Sequence, residues 1–354
     1  MSTYSGITAV AISLIILWSC KNTPSSSQEN QPEAYQPSSE LDMSRTNAVR
    51  NTPSRVPYDS TMLEDRIHNQ STSAEETLVA TLPEGVEVPE NMIFIPGGWV
   101  EMGSYQGLPR EQPVTPRQVQ SFFMDISPVT VGEFRRFVNA TNYVTDSEKY
   151  GDSGVFDKVQ KTWILVPGAY WEYPLGPEGP KAPDDHPVTQ VSWHDAQEYC
   201  KWAGKRLPSE AEWEHAARSA QNKRERYPWG TDLVVNDEYK ANTWQGYFPQ
   251  VNTVADGYEY TNPVGAFGES SLGLMDMSGN VWEWCEEWYL PYGTDQNSFQ
   301  PTQESEKVIR GGSFMCDPSY CHGYRVSGRS GTTPETGLFH VGFRCVKDLP
   351  ATDG

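Results

Sequence analysis

Apolar and polar positions divide the chain into three stretches. From Ile7 to Trp18 nearly every position is apolar, a run too short to span a bilayer comfortably and suited to the core of an export leader. From Lys21 to about Leu82, Ser, Gln, Asn, Pro and Glu dominate and apolar residues are scattered. Such a segment cannot bury enough surface to offset its ordering entropy, so it reads as a flexible tether. Beyond it the pattern becomes that of a folded domain. The expected organisation is a leader at 1–19, a tether at 20–87 and a domain at 88–350.

Within the domain, two short apolar runs flank Pro96-Gly97-Gly98 between Met92 and Gly103 and predict a hairpin. Val119 to Met124 predicts another strand. Three capping boxes announce helices. Thr130 with Glu133 opens one that carries Phe134, Phe137 and Val138 on one face. Ser192 with Asp195 opens a second, ending at Gly204 with Cys200 on its buried side. Ser209 with Glu212 opens a third, carrying Trp213. After Arg218 the chain reads as loop, until strand-like segments return at 281–284, 308–310 and 342–345. No internal repeat is visible. This order predicts an α+β domain whose two ends meet in one sheet.

Composition narrows the picture. A net charge of -20 argues against nucleic acid or anionic lipid as a partner, because phosphate binding needs concentrated Lys and Arg. Twelve Trp, 18 Tyr and 12 Phe beside 29 Gly and 27 Pro are too aromatic for disorder and too loop-rich for a helical bundle. Leu17-Trp18-Ser19-Cys20 resembles a bacterial lipobox, which implies lipidation at Cys20 and a lipid-anchored place in the cell envelope. A membrane-anchoring helix or plain secretion are the other readings of that run. Outside the cytoplasm thiols tend to be oxidised. The five remaining cysteines, Cys200, Cys285, Cys316, Cys321 and Cys345, are odd in number and leave at least one without an intramolecular partner.

The candidate chemistry sits in Arg310-Gly311-Gly312-Ser313-Phe314-Met315-Cys316-Asp317-Pro318-Ser319-Tyr320-Cys321. Cysteines five apart lie about 140° apart on a helix and on opposite faces of a strand. Only an irregular segment, such as Pro318 favours, brings the sulfurs together. A disulfide, a soft-metal site and a redox dithiol all remain open.

The segments IPGGWVEMGS, KRLPSEAEWEHAAR, YPWG, NTWQG, SGNVWEW, RGGSFMCDPSYC and VGFRC together resemble the formylglycine-generating enzymes, or sulfatase-modifying factors, from about Met92 to Asp348. The resemblance implies a variant of the C-type-lectin fold, with little regular structure and calcium-held loops. It implies a Cu(I)- and O2-dependent oxidation, to formylglycine, of the cysteine in a Cys-x-Pro-x-Arg segment of an unfolded sulfatase. The rival is an envelope protein that keeps the domain for binding or scaffolding. The residues matching the catalytic motif are Cys316 and Cys321, as copper ligands, with Ser313 and Tyr320. Arg325 and Arg329 match downstream, and Arg325 and His340 are implied as substrate contacts. Asp152 and Ser153 match the segment that receives the substrate arginine. Trp282 borders the site, and His340 stands where Asn is common. Calcium ligands match at Asn242 and Asp256 with the carbonyls of Thr243 and Tyr258, and at Asp276 and Glu283 with the carbonyls of Gly279 and Val281. Cys200 and Cys345 match a bonded pair, while a second family disulfide is replaced at both positions, by Ala217 and Val326. Cys285 is left as a free, buried thiol.

Overall fold

The computed structural model describes residues 81–350. The leader, Cys20 and the tether up to residue 80 lie outside the described residues.

The domain is α+β, with short elements strung between long loops. Its strands are β1 (Met92–Ile95), β2 (Gly98–Met102), β3 (Thr115–Val119), β4 (Phe122–Asp125), β5 (Asp152–Asp157) and β6 (Thr162–Pro167), then β7 (Val234–Val235), β8 (Glu238–Tyr239), β9 (Gly246–Tyr247) and β10 (Val251–Asn252). After these come β11 (Trp282–Trp288), β12 (Lys307–Arg310), β13 (Arg329–Thr332), β14 (Val341–Gly342) and β15 (Val346–Asp348). The first sheet runs β1-β4-β15 and the second β13-β12-β11-β14. The others are two-stranded: β2 with β3, β5 with β6, β7 with β8 and β9 with β10. As expected, the domain's first and last strands share a sheet, both antiparallel to β4.

The expected hairpin does not form. Although β1 and β2 are separated only by Pro96 and Gly97, β1 pairs with β4 and β2 with β3. The Pro-Gly link is a crossing between sheets. A Cβ on Gly97 would lie 2.8 Å from the Val119 carbonyl oxygen, so only glycine lets the two backbones approach this closely. Where one strand was expected from Val119 to Met124, Gln120 and Ser121 break it, and the Ser121 hydroxyl accepts from the Gly97 N–H at 2.8 Å. The 342–345 strand is likewise split between β14 and β15.

All three expected helices are present, each with both hydrogen bonds of its capping box: α1 (Val131–Thr141), then α3 (Trp193–Trp202) and α4 (Glu210–Ala217). A fourth, α2 (Asp146–Tyr150), also starts with a capping box, Thr145 with Glu148. It escapes a periodicity reading because five residues show too little pattern.

Three apolar clusters make up the described core, the smallest joining Val155 and Phe156 to Phe314, Met315 and Phe339. One packs Phe134 and Phe137 of α1 with Tyr199 and Cys200 of α3, Trp284, Phe343 and Cys345, and it reaches Cys316. Another surrounds Trp213 of α4 with Ile95, Val119, Met124, Cys285 and Val308. Ala217 and Val326 both belong to it. Buried charge joins α4 to the second sheet. Arg310 donates to Glu210 (2.8 Å) and Glu214 (2.6 Å), Arg329 to both oxygens of Glu210, and Arg218 to Glu214 (2.6 Å). The Glu214 carboxyl is held below its usual range, with Arg218 and Arg310 prevailing over its burial. This network anchors the end of β12, from which the candidate site emerges.

Candidate functional site

After β12 the chain turns through Gly311 (φ 90°) and Gly312 (φ 69°). A Cβ on Gly312 would meet the Tyr324 backbone nitrogen at 2.4 Å, so the sharp entry requires glycine. Ser313 to Cys316 are then buried. The Asp317 carbonyl accepts from the N–H groups of Tyr320, Cys321 and His322 at 3.0–3.2 Å and curls the segment back on itself. The outcome is the convergence that spacing demanded. Cys316 and Cys321 have Cα atoms 5.6 Å apart and are joined as a disulfide in this structure. Cys316 is buried, whereas Cys321 is partly accessible.

Several groups surround the pair. The Ser313 N–H points at Cys316 Sγ (3.4 Å), and Ser313 Oγ lies 3.0 Å from His340 Nδ1. Tyr320 is 55% exposed and stacks on Phe248 at 4.8 Å, which in turn meets Phe156 and Trp244. Trp282 packs so closely under Gly323 that a Cβ there would lie 2.3 Å from its ring. Trp163 of β6 lies 5.1 Å from the His340 ring. Burial, aided by Arg325 and Arg226, pulls His322 down to about 4, so that ring is neutral at physiological pH. Cys321 is thus partly accessible and flanked by two aromatic groups, Tyr320 with Phe248 and His322 with Tyr324 and Tyr227.

The expected substrate contacts separate. Asp152, at the start of β5, is half-buried. Ser153 faces inward instead, its hydroxyl within hydrogen-bond distance of Gln190 Oε1 (2.5 Å), the Gly337 carbonyl (2.9 Å) and Ser147 Oγ (3.1 Å). It is a bracing group. Arg325 is buried too, its guanidinium bonded to Glu111 and its Nε donating to the His322 carbonyl at 3.2 Å. A buried cation needs such a counter-charge, and this one comes from 214 residues earlier in the chain. Arg329 is spent in the same way on Glu210.

Residues 79–349 match the model of the sulfatase-modifying factor enzyme 1-like domain. The chain belongs to this sulfatase-modifying factor family. It is 42% identical over 289 residues to a formylglycine-generating enzyme of Thermomonospora curvata, covering 74% of this chain and 95% of that one. It is also 38% identical over 276 residues to the inactive C-alpha-formylglycine-generating enzyme 2 of Bos taurus, covering 72% and 87%. Among solved structures, PvdO of Pseudomonas aeruginosa has a TM-score of 0.57 at 23% identity, covering 77% of this chain and 99% of that one. That likeness is one of fold.

In this sulfatase-modifying factor domain the side chains of the two expected calcium sets have the following surroundings. In the first, Asn242 Nδ2 donates to the Tyr260 carbonyl (2.7 Å) and Asn262 Oδ1 (2.8 Å), while its buried Oδ1 has no partner. The Asp256 carboxylate, whose pKa is raised by desolvation, accepts from the N–H groups of Thr243 (2.9 Å) and Tyr258 (3.0 Å). An orphaned amide oxygen and a partly buried carboxylate are the kinds of oxygen donor that suit a hard cation. In the second, Glu283 is bonded by Arg344 at 2.7 and 2.8 Å and by Trp213 Nε1 at 2.7 Å. The neighbouring Asp276 is pushed up by burial and by Glu283, with Arg344 opposing. Two carboxylates then face one guanidinium, and the excess negative charge also suits a cation, which would share Glu283 with Arg344.

Sequence reasoning missed Glu111, Gln190, Phe248 and Trp163. Trp163 was within reach, because an aromatic on an alternating strand next to a candidate substrate segment is a signal. Glu111 had none, since its partner is remote in sequence. The other cysteines separate cleanly. Cys200 Sγ and Cys345 Sγ lie 2.6 Å apart, unbonded in this structure, and Cys285 is free and buried in the Trp213 cluster, its thiol pushed well up by burial.

Proposed function

We propose that this chain is a copper-dependent oxidase that uses O2 to convert the cysteine of a Cys-x-Pro-x-Arg segment in an unfolded sulfatase to formylglycine. It would act at the cell envelope, held to the membrane by a lipid on Cys20. The observation that carries the reading is the meeting of a buried Cys316 with a partly accessible Cys321 flanked by aromatic groups. As reduced thiolates they form a soft donor pair that suits Cu(I) better than Mg2+ or Ca2+. Copper held there supplies the one-electron route to O2 that side chains lack.

The chain's own residues account for the rest. Tyr320 and Phe248 offer a stacked platform to an extended peptide. Trp282, wedged under Gly323, forms the floor and keeps water out. The Asp152 carboxylate is the partner for the substrate arginine. Cys321, as the accessible sulfur, exchanges with the substrate thiol, while Cys316 stays behind it. Calcium at Asn242, Thr243, Asp256 and Tyr258, and at Asp276, Gly279, Val281 and Glu283, would hold the flanking loops.

The closed Cys316–Cys321 bond favours a second reading, a binding or scaffolding lipoprotein with a structural disulfide. One experiment separates the two. Protein treated with mild reductant and Cu(I) is incubated in air with a Cys-x-Pro-x-Arg peptide, and the peptide mass is read. The enzyme reading expects an aldehyde product, lost in Cys316→Ser and Cys321→Ser. It also expects Cys316→Ser, but not Cys321→Ser, to trap the peptide as a mixed disulfide. A bond that no reductant opens into a copper-binding, O2-consuming form would overturn it.

A further inference from the structure

We propose that Ser313 and His340 form a proton relay that carries the substrate thiol's proton from the buried cysteine pair to solvent. The inference rests on the function proposed above and extends it. Ser313 is fully buried beside Cys316, and its hydroxyl meets two groups, accepting from the Met315 N–H at 3.3 Å and touching His340 Nδ1 at 3.0 Å. A hydroxyl has one proton to give. If Nδ1–H donated to Ser313, the serine proton would have no acceptor among the described residues, which is costly for a buried donor. If Ser313 donates to Nδ1, every group is satisfied. That choice fixes the imidazole as the Nε2–H tautomer.

The other end of the ring is open. His340 is partly accessible, and its Nε2 has no hydrogen bond among the described residues. Trp163, Phe314 and Phe339 wall the ring at 5.1, 6.5 and 5.7 Å, and no charged group faces it. The dyad thus reaches from a buried hydroxyl to a partly accessible imidazole.

The step balances without electrons. The substrate S–H bond breaks and its proton joins Ser313 Oγ. The serine proton passes to Nδ1, and the Nε2 proton leaves to water. When the oxidised carbon later releases its sulfur, the relay run backwards returns a proton to the leaving sulfide and restores the starting tautomer.

Two measurements test this. In copper-free, reduced protein, 15N NMR of histidine should find Nδ1 bare and Nε2 protonated, with the Nδ1 signal shifted by Ser313→Ala; an Nδ1–H tautomer overturns the relay. In peptide turnover, His340→Ala should lower kcat about 100-fold, the low end for acid–base catalysis, with KM unchanged, and should recover activity when imidazole is added. Wild-type kcat, or no imidazole response, in an otherwise folded His340→Ala refutes the relay alone. A wild type that converts no peptide refutes the oxidase reading and takes the relay with it.

Discussion

Replacing Glu111 with Gln tests whether Arg325 supports the site or touches substrate. Glu111 is fully buried; one carboxylate oxygen takes the Arg325 guanidinium and the Leu108 N–H (3.0 Å), the other the Ser327 hydroxyl (2.8 Å). Glutamine keeps the shape and leaves a buried cation without its counter-charge. Breaking one side of such a pair costs about 3–5 kcal/mol. For a domain of this size that lowers Tm by roughly 6–20 °C. Urea and thermal unfolding would measure it. Glu111→Gln combined with Arg325→Met removes both charges and should recover most of the loss, because a buried pair often contributes little net stability over an apolar replacement. Apparent kcat should follow the folded fraction in all variants, with peptide KM unchanged. The reasoning is refuted if Glu111→Gln unfolds like the wild type, or if Arg325→Ala raises KM tenfold at unchanged Tm.

Three further outcomes are expected. Asp152→Ala should raise KM about 10- to 150-fold, equivalent to a charged hydrogen bond of roughly 1.5–3 kcal/mol, and a peptide with Arg→Ala should lose as much with the wild type and little with the mutant; additive losses would exclude direct contact. In oxidised protein, non-reducing peptide mapping should join Cys200 to Cys345, whose loop closure contributes up to about 5 kcal/mol in the chain-entropy model, and a Cys200–Cys285 peptide would contradict it. The Glu287 carboxyl is pushed up to about 7 by burial and by Glu210. An acid raised in the folded state binds more protons folded than unfolded, so its contribution is full below the unfolded value and is lost as pH rises toward 7; Glu287→Gln should flatten that slope in pH-dependent urea unfolding, and an unchanged slope would assign it elsewhere.

What the sequence made legible was local. A capping box is written within four residues, and Thr130, Ser192 and Ser209 each open the helix they announce. The cysteine segment was legible because five-residue spacing has few geometric solutions and Pro318 narrows them further. Strand pairing was not legible. Ile95 and Gly98 are neighbours in sequence, yet their strands join different partners, since register is decided by side chains from elsewhere. The same applied to charge. The sequence displayed Arg325 as an available cation, and only the fold shows that Glu111 already neutralises it. A residue's type shows what it can bind, while its burial decides whether it is free to do so.

The sheet that joins β1, β4 and β15 has a consequence for the order of events during synthesis. Met124 pairs with Val346, 222 positions later. Arg206 also bridges to Val346, and Asp125 receives the Cys345 N–H at 2.9 Å. A chain emerging from its N-terminal end therefore holds an incomplete sheet, and an unfinished first core cluster, until the last strand of the domain is made. Contacts this distant in sequence carry a large loop-closure entropy and form slowly. The domain is thus closed by its C-terminus. A chain truncated before β14 lacks Cys345 and the strand that completes the sheet, so the last ten or so residues of the domain act as a checkpoint on its completeness.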